Sequence, residues 1–226
     1  MTITASRLTT AAGLCATVAG ALFIGIQIGH PHLDATSIRT TEVVVRDILK
    51  MLMAVLALAG ITGMYLSQIR RNGVLGLVGY LVLSVGYLLI LGTAFSAAFV
   101  LPEIAAVNPA YVNAVTDVTT GRTSSADIGA LVVVNQIQSI AYLAGGLLFG
   151  IALFRARVLA RWAAVLLAAG GVVTIVLSVL PDAFYRLLAF PNGIAMIGLG
   201  VSLWLGGRAA SSAETSTSPA GVAAVR

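Results

Sequence analysis

Residues 74–101 read VLGLVGYLVLSVGYLLILGTAFSAAFVL. These 28 residues carry no charge, whereas a helix crosses the hydrocarbon of a bilayer with about 20 mostly apolar residues. Lipid offers no water to peptide N–H and C=O groups, so a segment of this kind closes its hydrogen bonds within itself as a helix. Strands of alternating polarity, as an outer-membrane barrel would need, are not seen. Five further apolar runs flank this one, at 8–28, 48–69, 128–154, 162–180 and 187–206. They predict an all-α, polytopic bundle of six transmembrane spans forming a single membrane domain over 1–207. The remainder, 208–226, turns to Ala, Ser and Thr with nothing to bury and is expected to be a disordered tail.

Composition agrees. Of 226 residues 59% are apolar and 9% charged, with a mean hydropathy of +1.02, which excludes an ordinary water-soluble globular domain. The lipid bilayer is the first partner this implies. The first run ends in Gly29-His30-Pro31-His32 rather than a small-x-small cleavage site, so it reads as a retained span and not a signal peptide. A net charge of +5 does not point to nucleic acid, because the basic residues sit at the ends of apolar runs, where they orient the chain. Threading six spans puts Arg7, Arg70, Arg71, Arg155, Arg157, Arg161, Arg208 and Arg226 on one side with Glu214. The other side receives 5 basic and 7 acidic residues. By the positive-inside rule both termini are cytoplasmic and the loops 29–47 and 102–127 lie outside. The inner connections are so short that the spans they join must be antiparallel neighbours. In the second outer loop, Asn108-Pro109 followed by Tyr111, Val112, Val115 and Val118 predicts a short helix on the outer surface.

Small residues four apart offer close helix packing, within the chain or in a homodimer: Ala21, Gly25 and Gly29; Gly146 and Gly150; Gly198 and Ser202. An offset of 84 matches Arg71 to Arg155, Leu83 to Leu167 and Gly86 to Gly170, as a duplicated hairpin would.

The polar residues of the apolar runs are not evenly spread in depth. Gln27, Arg46, Asp47, Lys50, Asn135, Gln136, Gln138 and Asn192 all fall in the predicted outer half or at its rim. Polar side chains in a bilayer face the bundle interior or a wet cavity, so spans one, two, four and six are expected to share an outward-facing pocket. The ligand-binding candidates are Gln27, Arg46, Asp47, Lys50, Asn135, Gln138 and Asn192. Glu42, Arg46 and Lys50 form one helical stripe, and Asp47 is placed to pair with Lys50. Residues 51–69 are uncharged and long enough to span alone, so Lys50 snorkelling at the interface is the competing account.

Other chemistry finds little support. The single Cys15 excludes a disulfide within the chain and a thiolate metal cluster. His30, His32 and Asp34 lack a third firm metal ligand, and two histidines are too few for a haem or a three-histidine zinc site. No Walker loop, GxSxG elbow or aspartate-rich diphosphate run occurs. No cofactor and no metal are expected.

Three stretches look familiar together: the Gly/Ala-rich opening after Arg7, the inner turn Phe154-Arg155-Ala156-Arg157-Val158-Leu159-Ala160-Arg161-Trp162, and the last span from Pro191 through Gly198-Leu199-Gly200 to Trp204. They resemble a group of small bacterial six-span membrane proteins classified only as a domain of unknown function. The resemblance implies the six-span layout and a bacterial inner-membrane setting; it brings no activity and no catalytic residues.

The leading functional expectation is binding or transport of a small lipophilic or anionic solute, with Arg46 and Lys50 attracting an anionic group and Asn135 and Gln138 orienting it. An interaction or assembly subunit that docks another membrane protein is the first alternative. An intramembrane enzyme using Asp47 or Glu42 as acid or base on a lipid or isoprenoid is the second.

Overall fold

The computed structural model describes residues 4–124, 126–177 and 189–217. The expected end of span five at 178–180, the start of span six at 187–188, Asp182, Arg186 and the tail from 218 lie outside the described residues.

Eight α-helices and no strand occupy the described chain: α1 Ala5–Gln27, α2 Thr41–Leu66, α3 Ile69–Phe95, α4 Leu101–Val107, α5 Pro109–Thr119, α6 Leu131–Ala156, α7 Arg161–Leu177 and α8 Ala189–Thr217. Their ends follow local chemistry. Thr4 and Thr40 cap α1 and α2, each side-chain oxygen accepting a backbone N–H three residues on. Gly29, at φ 64°, ends α1 in a conformation that glycine adopts without steric cost. Within α3, Gly73 leaves helical geometry (φ 57°, ψ −163°), so the first turn is set apart and the long apolar helix starts at Val74, where the sequence places it. At its far end α3 passes through a wider π-turn, Ser96–Val100, into α4. Pro102 has no N–H to give the carbonyl four residues back and its ring would collide with it, which forces the looser turn.

Four segments, Ala5–Gln27, Ile69–Val107, Leu131–Ala156 and Ala189–Ser212, are long and apolar enough to cross a membrane. With the shorter apolar stretch Arg161–Gly170 of α7 they make the helical, membrane-compatible body of the molecule.

The six long helices α1, α2, α3, α6, α7 and α8 close a ring in that order, with α8 packed back on α1. Neighbours run antiparallel. Short links, 67–68 and 157–160, lie at one end, and the connections 28–40 and 96–130 lie at the other. The interior is filled by Phe149, Leu83, Leu153, Ile61, Met64 and Leu199, all essentially without exposed surface. The outer faces present Leu14, Val55, Leu81, Leu88, Ile140 and Val165, apolar side chains that a bilayer would solvate.

At two seams the backbones approach over glycines seven apart. Gly13, Gly20 and, from α8, Gly193, Gly200 and Gly207 make the α1–α8 seam: a Cβ on Gly200 would stand 2.6 Å from the Thr17 amide, and one on Gly20 would stand 2.5 Å from the Gly193 carbonyl. Gly79, Gly86 and Gly145 do the same between α3 and α6. A seven-residue period keeps a seam facing its partner along a helix. The expected stripe Ala21, Gly25, Gly29 is not a seam within the chain: Ala21 is exposed and Gly25 has open space beside it. Gly150 meets Ala164 and Ala168 of α7, and Gly198 meets the Trp162 ring, so those two glycines do pack as expected.

Two expectations need correction. The segment from 208 does not lose structure at once; α8 continues through Thr217, and the Ser211 hydroxyl bonds the Ser6 hydroxyl at 2.9 Å. The outer connections are also more than loops. A second apolar cluster joins Ile38 and Val43 to Leu101, Ala105, Val112 and Val115, so that the 28–40 segment, α4 and α5 fold into a cap over one end of the ring.

Candidate functional site

The cap is held by a few directed bonds. The Ala35 amide donates to Asn113 Oδ1 at 2.7 Å. Arg122 donates from Nε to Asp117 Oδ1 at 2.8 Å and from Nη2 to the Leu33 carbonyl at 3.1 Å, and its Nη1 lies 3.3 Å from His32 Nδ1. Asp34 Oδ1 accepts from the Thr36 and Ser37 amides at 2.8 and 2.7 Å. The Ser37 N–H is the strongest influence holding the Asp34 carboxyl below its ordinary pKa of 3.8, against desolvation; the Thr36 N–H, the Ser37 hydroxyl and the charge of His32 act with it. His32 and Asp34 are therefore structural, and no group of three metal-ligating side chains exists among the described residues.

Under the cap lies a cavity of about 400 Å³, within the range of small-molecule sites. Apolar residues make most of its wall: Ile90 and Ala94 from α3, Ala97 and Val100 from the π-turn, Leu101 and Ile104 from α4, Val115 from α5, and Leu131 and Val134 from α6. The polar groups are few. Lys50 Nζ donates to Asp47 Oδ1 at 2.7 Å, both residues facing the cavity from the second turn of α2 onward. Thr93 donates to Gln138 Oε1 at 3.0 Å on the same wall. Tyr111, Thr116 and Thr119 reach it from the cap. Asp47 is buried, its side chain 3% exposed, and its second oxygen, Oδ2, has no hydrogen-bond partner. Lys50, 24% exposed, is the more open member of the pair.

The seven candidates read from sequence thus divide. Asp47, Lys50 and Gln138 meet at one cavity. Arg46 does not join them: its Nη1 donates to the carbonyls of Ile26 and Ile28, its Nη2 to those of Gly29 and Glu42 Oε1, and its Nε to Glu42 Oε1. All five guanidinium hydrogens are committed, and the charge sits where the C-terminal carbonyls of α1 favour a cation. Asn135 donates to the Val118 carbonyl at 3.1 Å, tying α6 to the end of α5. Asn192 is buried on α8 against Gly170 of α7, across the ring from the cavity. Gln27 is half-buried at the last turn of α1 and does not line the cavity. The pocket expected between spans one, two, four and six is instead walled by α2, α3, α6 and the cap. Glu42, with a side chain 58% exposed, is not the dry carboxylate an intramembrane acid would be.

Sequence reasoning missed Thr93, the π-turn and the cap residues. Thr93 lies in the midst of an aliphatic run as an ordinary helical hydroxyl. The signal for the turn was Pro102, and the signal for the cap was the spacing of Tyr111, Val112 and Val115, read as a surface helix rather than as the lid of a second core.

These features define a helical bundle, with four segments long and apolar enough to cross a membrane, around a capped, mostly apolar cavity lined by one ion pair. Comparison with protein-family models, curated proteins and solved structures found no match to the chain.

Proposed function

We propose that the chain is a six-span protein of a bacterial inner membrane, with both termini cytoplasmic, and that it binds and passes a small, partly lipophilic solute through the cavity under the cap. The span count is supported by six antiparallel helices in a closed ring. The orientation is supported by Arg7, Arg70, Arg71, Arg155, Arg157, Arg161 and Arg208, which gather at the end with the short links.

One observation carries the function: a 400 Å³ cavity, apolar over most of its wall, is lined by the Asp47–Lys50 ion pair, of which Lys50 is the more open member. An ion pair set in an apolar wall gives a small molecule a polar anchor and an apolar surface together. Native mass spectrometry of the protein released from mild detergent, beside the Asp47→Asn, Lys50→Met double variant, tests the reading. A small molecule retained by the parent and absent from the variant is expected; equal retention by both overturns it.

The assembly reading rests on a different feature. Ala21 and Gly25 leave an open apolar groove between α1 and α2, unlike the glycines used in the ring. A second protein chain in the same mass spectra, lost on Gly25→Leu, would favour that reading instead.

A further inference from the structure

Lys50 is the sole lysine of the chain; the other twelve of its thirteen basic residues are arginines. It stands at the cavity with its charge already balanced, 2.7 Å from Asp47. The two charges nearest in sequence are also spoken for, since Arg46 and Glu42 bind each other and the end of α1. On the cap, Arg122 and Asp117 neutralise one another. Among the described residues, the cavity wall therefore has no net charge to offer. An anion drawn to Lys50 would leave Asp47 and itself as two negative charges against one ammonium, in a medium where desolvation is costly. A cation drawn to Asp47 meets the converse difficulty.

Hydrogen-bonding capacity is another matter. Lys50 Nζ has three hydrogens and uses one on Asp47; the Gln138 amide uses its oxygen on Thr93, and its two N–H groups remain. Asp47 Oδ1, which accepts from Lys50, has a second lone pair. The wall thus presents donors and one strong acceptor side by side, surrounded by aliphatic carbon.

We infer that the cavity selects an uncharged amphiphile whose polar end both donates and accepts a hydrogen bond, a hydroxyl or a carboxamide on an apolar body. The polar end inserts beside the Asp47–Lys50 pair, donating to the carboxylate and accepting from Lys50 or Gln138, while the body lies along Ile90, Val100 and Val134. This inference rests on the cavity reading above and narrows its solute class, removing the anionic option that an unpaired Arg46 and Lys50 would have allowed. A polar group is desolvated here at little loss because each of its bonds is replaced, whereas an isostere without a polar head leaves the remaining Lys50 and Gln138 hydrogens without an acceptor.

The single lysine makes the test direct. The full chain, labelled with ¹³C-lysine and placed in phosphatidylcholine nanodiscs, gives one side-chain Cε signal, that of Lys50. It is titrated with 1-decanol, decanamide, decanoate and decylammonium, which share one chain length and differ in the head. The alcohol and the amide are expected to shift the signal saturably, with half-saturation at least about tenfold below that of either ion. The shift should vanish in Ser96→Phe, which adds a bulky ring to the cavity wall at the π-turn and leaves both members of the ion pair in the sequence. Saturation by decanoate or decylammonium at equal or lower concentration overturns the neutral class while leaving the cavity as a site. No saturable shift with any of the four, or one that survives Ser96→Phe, overturns the cavity reading itself.

Discussion

Replacing Lys50 alone leaves the Asp47 carboxylate, 3% exposed, with neither its cation nor a partner for Oδ2. Breaking a buried pair from one side costs about 3–5 kcal/mol, whereas removing both charges is far milder. Lys50→Met should therefore lower the thermal midpoint markedly, and adding Asp47→Asn should restore most of the loss; a double variant no better than the single would show that the pair does not act as a unit. Asp34 makes a second, pH-dependent statement. Its folded-state pKa lies below the ordinary 3.8, so the unfolded chain binds more protons as acid is added. The stabilisation is complete above that ordinary value and is lost as pH falls through the lower folded one. Hydrogen exchange at the Thr36 and Ser37 amides should accelerate in that acidic window beyond the intrinsic rate, and in Asp34→Asn the extra acceleration should be absent.

At the scale of elements, the seams between helices separate glycines that look alike in sequence. Gly200→Ala places a methyl 2.6 Å from the Thr17 amide, and backbone cannot turn aside as a flexible side chain can. The α1–α8 seam must open, at about 1–3 kcal/mol. Gly25→Ala meets nothing and should fall within about 0.5 kcal/mol of the parent; comparable midpoints for the two variants would contradict the seam. The cap is a different kind of element, held on its apolar cluster by Arg122 reaching Asp117 and the Leu33 carbonyl. With Cys15→Ser as background, a cysteine introduced by Ser96→Cys should react with a water-soluble thiol reagent several-fold faster when Arg122 becomes Gln. An unchanged rate would mean that the apolar cluster alone keeps the cap closed.

For the whole molecule, an 84-residue offset brings Gly73 and Arg157 into register. Both are positive-φ residues, at 57° and 56°, close to the two short links. Leu83 and Leu167, matched by the same offset, are both in the core, and Gly86 and Gly170 both lie where a neighbouring helix comes close, Tyr142 in one case and Asn192 in the other. The ring is thus built from hairpins of similar design, although they meet different partners.

What could be read from residues alone follows from solvent. A bilayer demands long, uncharged, internally bonded segments, so runs such as 74–101 declare themselves as helices. Nearest-neighbour pairing of α2 with α3 and of α6 with α7 was legible too, because links of a few residues leave no other choice. The order of the ring was not, nor was the use of seven-residue glycine seams, since every face of a lipid-embedded helix is apolar and periodicity no longer distinguishes inside from outside. The candidate site was half legible. Asp47, Lys50 and Gln138 were marked by the cost of polar groups in lipid. That same cost cannot say whether a group meets a ligand, a helix end or a neighbouring carbonyl. Arg46 spent on α1, Asn135 on Val118 and Asn192 beside Gly170 were settled only by tertiary packing, which decides which polar atoms are left with bonds to make.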